Sequence, residues 1–288
     1  MIDLSSALHL AASEATLAVG ALVLLMVGAF AGDKSTRLVS LLSVLLLIAG
    51  AVISITGPWG QAFNGAYVAD PLAIYGKSVI YLSAALAIIL GDGWMRRTRI
   101  AKTEYPILIV LAAVGMGMMA SSGDLISMYV GIELHSLALY VLAAFHRDDA
   151  KASEAGLKYF VLGALSSGLL LYGMSLVYGA TGTLMLEGIN ASIQGSDERV
   201  LLLTGTVFMI AGVAFKLGAA PFHMWLPDVY QGAPAPIALF ISSAPKLAAF
   251  GMAYRLLEVG VGPLAAEWKI LIGGLAALSL VIGNLMAI

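Results

Sequence analysis

Glu133, Lys158, Lys216 and Lys246 lie inside or just within long apolar runs, and His223 follows Lys216 by less than two helical turns. A charged side chain at membrane depth costs about 2.5–3.5 kcal/mol even on the lenient insertion scale, so such residues mark function by default. The chemistry open to a carboxylate, amines and an imidazole away from bulk water is proton exchange. Burial disfavours an ammonium and a neighbouring carboxylate favours it. A lysine moved between two such surroundings therefore releases a proton and recaptures one.

Each residue has its own context. Glu133 falls near mid-depth in Asp124-Leu-Ile-Ser-Met-Tyr-Val-Gly-Ile-Glu-Leu-His, with Tyr129 one turn earlier on the same helical face. A structural salt bridge pinning two helices is the competing reading. His135 and His146, nearer the end of that run, read as packing or interfacial histidines. Lys158 comes one to two turns after the charged loop His146–Glu154, so snorkelling toward water is equally open to it. Lys216 follows Val207–Phe215 with no polar neighbour and needs a partner; Glu133 is the spare carboxylate at comparable depth. Just beyond, Pro221 removes a backbone donor and frees the carbonyl of Leu217. His223 sits in that break, where its ordinary pKa of about 6.5 suits proton transfer in either direction. A proline-rich hairpin with a buried structural histidine is the alternative there. Lys246 follows Pro245, which frees the carbonyl of Ile241, and Ser242 and Ser243 offer hydroxyls beside it.

The elements that must carry these residues are membrane helices. The chain is 60% hydrophobic and 11% charged over 288 residues, where a soluble domain is about 25% charged. At about 20 apolar residues per span, segments appear near 8–31, 36–56, 70–91, 105–121, 124–145, 153–180, 200–217 (continuing to about 230), 235–258 and 268–288. The fold class is therefore all-α, a polytopic bundle of about nine helices with one broken helix near Leu217–His223. The whole chain reads as a single membrane domain. Asp124 caps the helix after the tight Ser121–Asp124 link. Lys34 and Arg37, then Arg96, Arg97, Arg99 and Lys102, then Arg147 and Lys151 collect on one side, which places those loops in the cytoplasm and the N-terminus outside. Arg255 and Lys269 fall on the outer side and weaken the rule for the last hairpin. The loop Thr181–Arg199 reads as a surface connection. Asp70 and Lys77 read as facing the interface or a neighbour, and Asp228 as a cap or loop anchor. The absence of cysteine excludes thiolate ligation and disulfides within the chain. No phosphate loop and no His-rich metal spacing are present, no basic cluster of the kind nucleic acid needs exists outside one loop, and the net charge is −2.

The stretch Phe215-Lys-Leu-Gly-Ala-Ala-Pro-Phe-His-Met-Trp-Leu-Pro-Asp-Val-Tyr-Gln-Gly-Ala-Pro resembles the antiporter-like membrane subunits of respiratory complex I. Val130-Gly-Ile-Glu-Leu-His-Ser-Leu-Ala-Leu-Tyr-Val-Leu and Ala155-Gly-Leu-Lys-Tyr-Phe-Val-Leu-Gly-Ala-Leu-Ser-Ser-Gly are most similar to the subunit N branch of bacterial NADH–quinone oxidoreductase, the counterpart of mitochondrial subunit 2. The resemblance spans essentially the whole chain. It implies inverted five-helix repeats, each with a broken helix, after a few extra helices. On that pattern 1–100 are the N-terminal helices, 105–258 the first repeat and 268–288 the start of a second. It further implies that Glu133 pairs with Lys216, that Lys158 lies on a central polar axis, that His223 bridges, and that Lys246 is the central lysine of its helix. The expected role is a proton-translocating subunit in a bacterial inner membrane, beside other membrane subunits, including neighbouring antiporter-like ones. The FMN, iron–sulfur clusters and quinone of the complex would be bound elsewhere, with no cofactor, metal or redox centre in this chain. Because members of the family carry more helices, the chain is expected to be part of a longer subunit. The rivals are a sodium/proton antiporter subunit and a purely structural membrane subunit.

Overall fold

A backbone surrounded by lipid must satisfy its own polar groups, and long apolar segments do so as helices. The computed structural model, which describes residues 4–195 and 197–287, is helical nearly throughout. Among the described residues, nine helical segments are long and apolar enough to cross a membrane, matching the nine apolar runs. In chain order the helices are α1 (Leu4–Leu10), α2 (Ala12–Ala31), α3 (Thr36–Thr56), α4 (Pro71–Arg97), α5 (Glu104–Ser121), α6 (Leu125–Ala143) and α7 (Ala150–Thr181). They continue as α8 (Leu186–Ile193), α9 (Arg199–Leu217), α10 (Trp225–Gly232), α11 (Ala235–Ser242), α12 (Ala244–Tyr254) and α13 (Ala265–Ala287).

Caps fix several starts. Asp124 Oδ1 accepts from the N–H groups of Ile126 and Ser127 at 2.8 and 2.9 Å, which starts α6 directly after the link from α5. Asp70 does the same for α4 with the Ala73 N–H at 2.8 Å, and Pro71 follows it as the first helical residue. Asp149 caps α7 through Lys151 and Ala152.

Several details depart from the run-by-run reading. The first run bends at Ala11, where the bonds Ala11 N–H to Ala7 O and Ala15 N–H to Ala11 O carry the chain from α1 into α2. Residues 57–69 contain a small antiparallel hairpin, β1 (Gly60–Ala62) and β2 (Tyr67–Ala69). The connection Thr181–Arg199 holds α8, whose Leu186, Ile189 and Ile193 are buried. That spacing is one apolar helical stripe, short enough to be hidden among Gly and Ser. Asn190 Nδ2 ties α8 to the carbonyl of Val259 at 2.9 Å. The span over 235–260 is interrupted too: Ser243 has φ −111° and ψ −89° between α11 and α12, and the span ends in a π-helical segment, Arg255–Gly260. Pro245 explains the first interruption, because it cannot donate to the carbonyl of Ile241.

At the centre lies α5, almost every residue of which is buried. Helices α2, α4, α6 and α12 pack on it, and α7 packs on α9.

Candidate functional site

Two close crossings hold the helices that carry the candidate residues. A Cβ on Gly115 of α5 would stand 2.5 Å from the backbone nitrogen of His135 on α6, and one on Gly131 would stand 2.9 Å from the Gly115 carbonyl oxygen. Gly173 of α7 and Gly205 of α9 meet in the same way, at 2.6 and 2.8 Å from each other's carbonyl oxygens. Small residues at such points let backbones approach where no solvent drives the helices together. Together these crossings set α6, α7 and α9 around a shared interior.

Within it, Glu133 is half-buried and accepts a hydrogen bond at Oε1 from Ser167 of α7. The hydroxyls of Ser167 and Tyr129 are 3.1 Å apart, so Tyr129 joins the carboxylate through the serine, one turn away on α6. Lys216 is only 7% exposed. Its Nζ donates to Ser136 Oγ on α6 at 2.6 Å, and the Ser136 hydroxyl in turn donates a hydrogen bond to the Ile132 carbonyl. Glu133 and Ser136 are three residues apart on one helix, a spacing that puts their side chains on neighbouring positions of one face. Lys216 thus reaches, through Ser136, the face of α6 that carries Glu133, while Glu133 is held by Ser167 of α7, with no ion pair directly between the two. His135 is buried with Nδ1 at 2.9 Å from the Ile132 carbonyl, the position of a packing histidine.

The broken helix lies next to this pair. α9 ends at Leu217, and Gly218 turns the chain with φ 76°, in the left-handed region open to glycine. Four terminal carbonyls of a helix lack intrahelical partners, and the end carries partial negative charge. Here Lys246 of α12 supplies the missing donor: its Nζ donates to the carbonyls of Lys216 and Leu217 at 3.1 and 3.0 Å. The Leu217 carbonyl freed by Pro221 therefore becomes an ammonium site. Trp225, the first residue of α10, places its ring 4.7 Å below the same Nζ and donates its Nε1–H to the Phe215 carbonyl at 3.0 Å. Tyr159 of α7 stacks on that ring, with centroids 4.5 Å apart and planes 9° from parallel. Lys216 thus links two clusters, its ammonium turned to α6 and its carbonyl to Lys246.

His223 lies within the break. Its Nε2 is 3.5 Å from the sulfur of Met286, and its Nδ1 is buried without a hydrogen-bond partner. Lys158 is placed elsewhere: its Nζ contacts Glu154 at 2.8 Å and Asp228 at 3.0 Å, and its side chain is 40% exposed. It joins α7 to α10 at the rim, and Asp228 is the anchor at the other end. Of the five residues singled out in the sequence, Glu133, Lys216 and Lys246 cluster through α6 and the end of α9, His223 borders them, and Lys158 is held in a separate ion-pair network.

Sequence reasoning passed over Ser136, Ser167 and Trp225, which supply the direct contacts. Serines are common packing residues in membrane helices, so their only signal was their position within one turn of Glu133 or in the Gly-Ala-Leu-Ser-Ser-Gly stretch. Lys77, read as facing the interface or a neighbour, is 2% exposed and faces the neighbouring α2, 3.2 Å from Glu14 Oε1. Arg255, read as an outer charge, is 3% exposed, donates to the Ala120 carbonyl and lies 2.7 Å from Asp70. The exception to the loop-charge rule at Arg255 is thus an interior ion pair. Among the described residues no group of three or more His, Cys, Asp or Glu side chains could hold a metal.

Comparison with known proteins agrees with the fold. Residues 122–288 match the family described as NADH:quinone oxidoreductase/Mrp antiporter, TM. NADH-quinone oxidoreductase subunit N of Xanthomonas euvesicatoria is 59% identical over 277 residues, covering 96% of this chain and 57% of that protein. A chain of respiratory complex I from Thermus thermophilus superposes with a TM-score of 0.77 at 35% identity, covering 96% of this chain and 58% of that one. A chain of an archaeal membrane-bound sulfane sulfur reductase shares the fold, with a TM-score of 0.72 at 23% identity. This chain spans less than three fifths of the Xanthomonas and Thermus proteins it matches.

Proposed function

The chain belongs to the NADH:quinone oxidoreductase/Mrp antiporter transmembrane family, and we propose that it is a proton-translocating membrane subunit of an NADH–quinone oxidoreductase. The observation that carries this reading is Lys216, a buried ammonium held by the neutral hydroxyl of Ser136 one turn along α6 from the carboxylate of Glu133. An ammonium in a dry interior gives up its proton more readily beside a hydroxyl than beside a carboxylate. Rotation of the Lys216 side chain from Ser136 to Glu133 moves it between these two environments without moving a helix. Ser167 and Tyr129 hold the Glu133 carboxylate ready while Lys216 is away.

Lys246 is the next proton carrier in this reading. It is held at the α9 terminus by carbonyls and a ring face, none of which can take up its proton. When Lys246 loses its charge, the Lys216 carbonyl is released and the geometry around Lys216 loosens. The unpartnered Nδ1 of His223 gives the break a group able to take a proton from one side and pass it to the other. Lys158, with Glu154 and Asp228, serves as the entry on the rim.

The rest of the assignment follows the family. Protons enter from the cytoplasmic side, where the basic loops lie, and the N-terminus is outside a bacterial inner membrane. Residues 105–258 form the first repeat and 268–288 open the second. Redox chemistry with FMN, iron–sulfur clusters and a quinone takes place in other subunits, and this chain works beside further membrane subunits of the complex.

The test is Lys216→Ala in the assembled complex, with NADH-driven quinone reduction and proton uptake measured in the same vesicles. Fewer protons per electron are expected at full assembly. An unchanged ratio would remove Lys216 from the pathway.

A further inference from the structure

The described residues contain a second buried acid–lysine pair, away from the helices just discussed. Glu14 in the first turn of α2 is 6% exposed, and Lys77 in the second turn of α4 is 2% exposed. Lys77 Nζ is 3.2 Å from Glu14 Oε1 and donates to Tyr67 OH at 2.7 Å. Tyr67 OH in turn donates to Glu14 Oε2 at 2.9 Å, with the Leu10 carbonyl 3.1 Å away, and Ser13 Oγ donates to Oε2 at 2.6 Å. An ammonium, a phenol and a carboxylate are thereby joined in sequence.

A merely structural pair would have its hydrogen bonds complete. This one does not. Glu14 Oε1 is close to the ammonium but has no aligned hydrogen bond, and the buried hydroxyls of Tyr81 and Ser121, near Ser13 and Tyr67, have none of good geometry either. A buried polar atom without an aligned partner is costly unless water completes it. Beside them lies a cavity of about 270 Å³, lined by Glu14, Tyr67, Ser121, Ser122 and Ser127 and by the hairpin residue Phe63. At about 30 Å³ per molecule that volume has room for several waters; most of its wall is apolar, with Ala11, Ala15, Ala66 and Met118, and the polar partners are confined to Glu14, Tyr67 and the serines. Gly117 of α5 makes room for the Tyr81 hydroxyl beside Glu14: a Cβ there would lie 2.2 Å from Tyr81 OH and 3.3 Å from Glu14 Cγ.

We propose that Glu14, Tyr67 and Lys77 form a second proton-exchanging site, hydrated through this cavity from the face of the molecule that carries the β1–β2 hairpin. In the exchange step Lys77 gives a proton to the Tyr67 oxygen while the Tyr67 hydrogen passes to Glu14. Ammonium and carboxylate become amine and carboxylic acid, Tyr67 remains a phenol, and no net charge appears. Water in the cavity can then protonate the amine or take the proton of the acid. The facing groups permit this. From α2 come Ser13 and Glu14, from β2 Tyr67, from α4 Lys77 and Tyr81, from α5 Ser121, and from α6 Ser127, whose hydroxyl is held by the capping Asp124 at 2.5 Å. Burial, and then the charge of Glu14, push the Tyr67 phenol well above its usual range, so it keeps its proton between exchanges.

The test is infrared difference spectroscopy of the assembled membrane complex in lipid vesicles, with the pH stepped in H₂O and D₂O. It reads carboxyl protonation, not pumping, so its outcome is independent of the function proposed above. A protonated-carboxyl band is expected to grow as the pH falls, to shift in D₂O and to be missing in Glu14→Gln. Tyr67→Phe keeps the ring and is expected to slow deuterium entry about a hundredfold, the lower end of what a positioned proton donor contributes. Should Glu14→Gln fail to assemble, Tyr67→Phe and Ser121→Ala read the same band. No band dependent on Glu14, or a band unmoved by pH, deuterium and both of these variants, would overturn the proposal.

Discussion

The smallest unit of the account is a side chain with two possible partners. Ser136 holds Lys216 at 2.6 Å, so Ser136→Ala leaves a buried ammonium without its acceptor. A loss of about 1–3 kcal/mol is expected for that vacancy unless Lys216 turns to Glu133. Unfolding of the variant in detergent measures the loss. A double-variant cycle with Glu133→Gln shows whether the carboxylate has taken over, since coupled residues deviate from additivity. Trp225 separates two contributions at the helix break. Trp225→Phe keeps a ring under Lys246 and loses the hydrogen bond to the Phe215 carbonyl, for about 1 kcal/mol. Trp225→Ala also empties the stack on Tyr159 and is expected to cost about 3–5 kcal/mol. Equal stability of the two variants would mean that the ring contributes nothing. The ionisable residues were legible at this scale because hydrocarbon makes charge conspicuous. The hydroxyls that hold them were not, since a serine in an apolar run has the same appearance whether it packs or binds.

At the scale of elements, composition and caps were enough to place most helices. The apolar runs gave the spans, Asp124 gave the start of α6, and Pro221 gave the end of α9. What escaped were features made by tertiary contact. α8 is a short apolar stripe that is helical because Leu186 and Ile189 have a surface to bury against. Lys77 opens α4 like an interfacial lysine, and only the hairpin residue Tyr67 and the distant Glu14 turn it into an interior charge. The glycine crossings yield the sharpest expectation here. Gly115→Ala and Gly173→Ala each press a methyl group onto backbone atoms 2.5–2.6 Å away, which no rotamer can relieve. Each is expected to destabilise by about 1–3 kcal/mol or more and to reduce the amount of assembled protein. Gly93, with nothing within 4 Å, is the control that should tolerate alanine. The cap of α7 gives a pH dependence. The N–H groups of Ala152 and then Lys151 hold the Asp149 carboxyl below its ordinary 3.8. A depressed carboxylate contributes stability above its unfolded pKa, and that contribution fades as the pH falls through the folded one. Hydrogen exchange at Lys151 and Ala152 should therefore quicken below about pH 4, while Asp149→Asn, which caps without a charge, should show no such step.

For the molecule as a whole, the arrangement is a bundle around α5 with its charges sorted into separate interior groups. One group ties α6, α7, α9 and α12 together through Glu133, Lys216 and Lys246. A second joins α2, β2 and α4, and a third pins Arg255 to Asp70 and the end of α5. Charge in hydrocarbon is costly enough to mark function by default, and the first group lies at the break that follows α9. The central claim is that Glu133 and Ser136 are alternative partners of Lys216 and that the exchange between them moves protons. The direct test is the number of protons taken up per NADH oxidised by the assembled complex carrying Glu133→Gln, measured in sealed vesicles at matched electron flow. The account requires that number to fall while assembly stays intact. A fully assembled complex with an unchanged proton yield would contradict it.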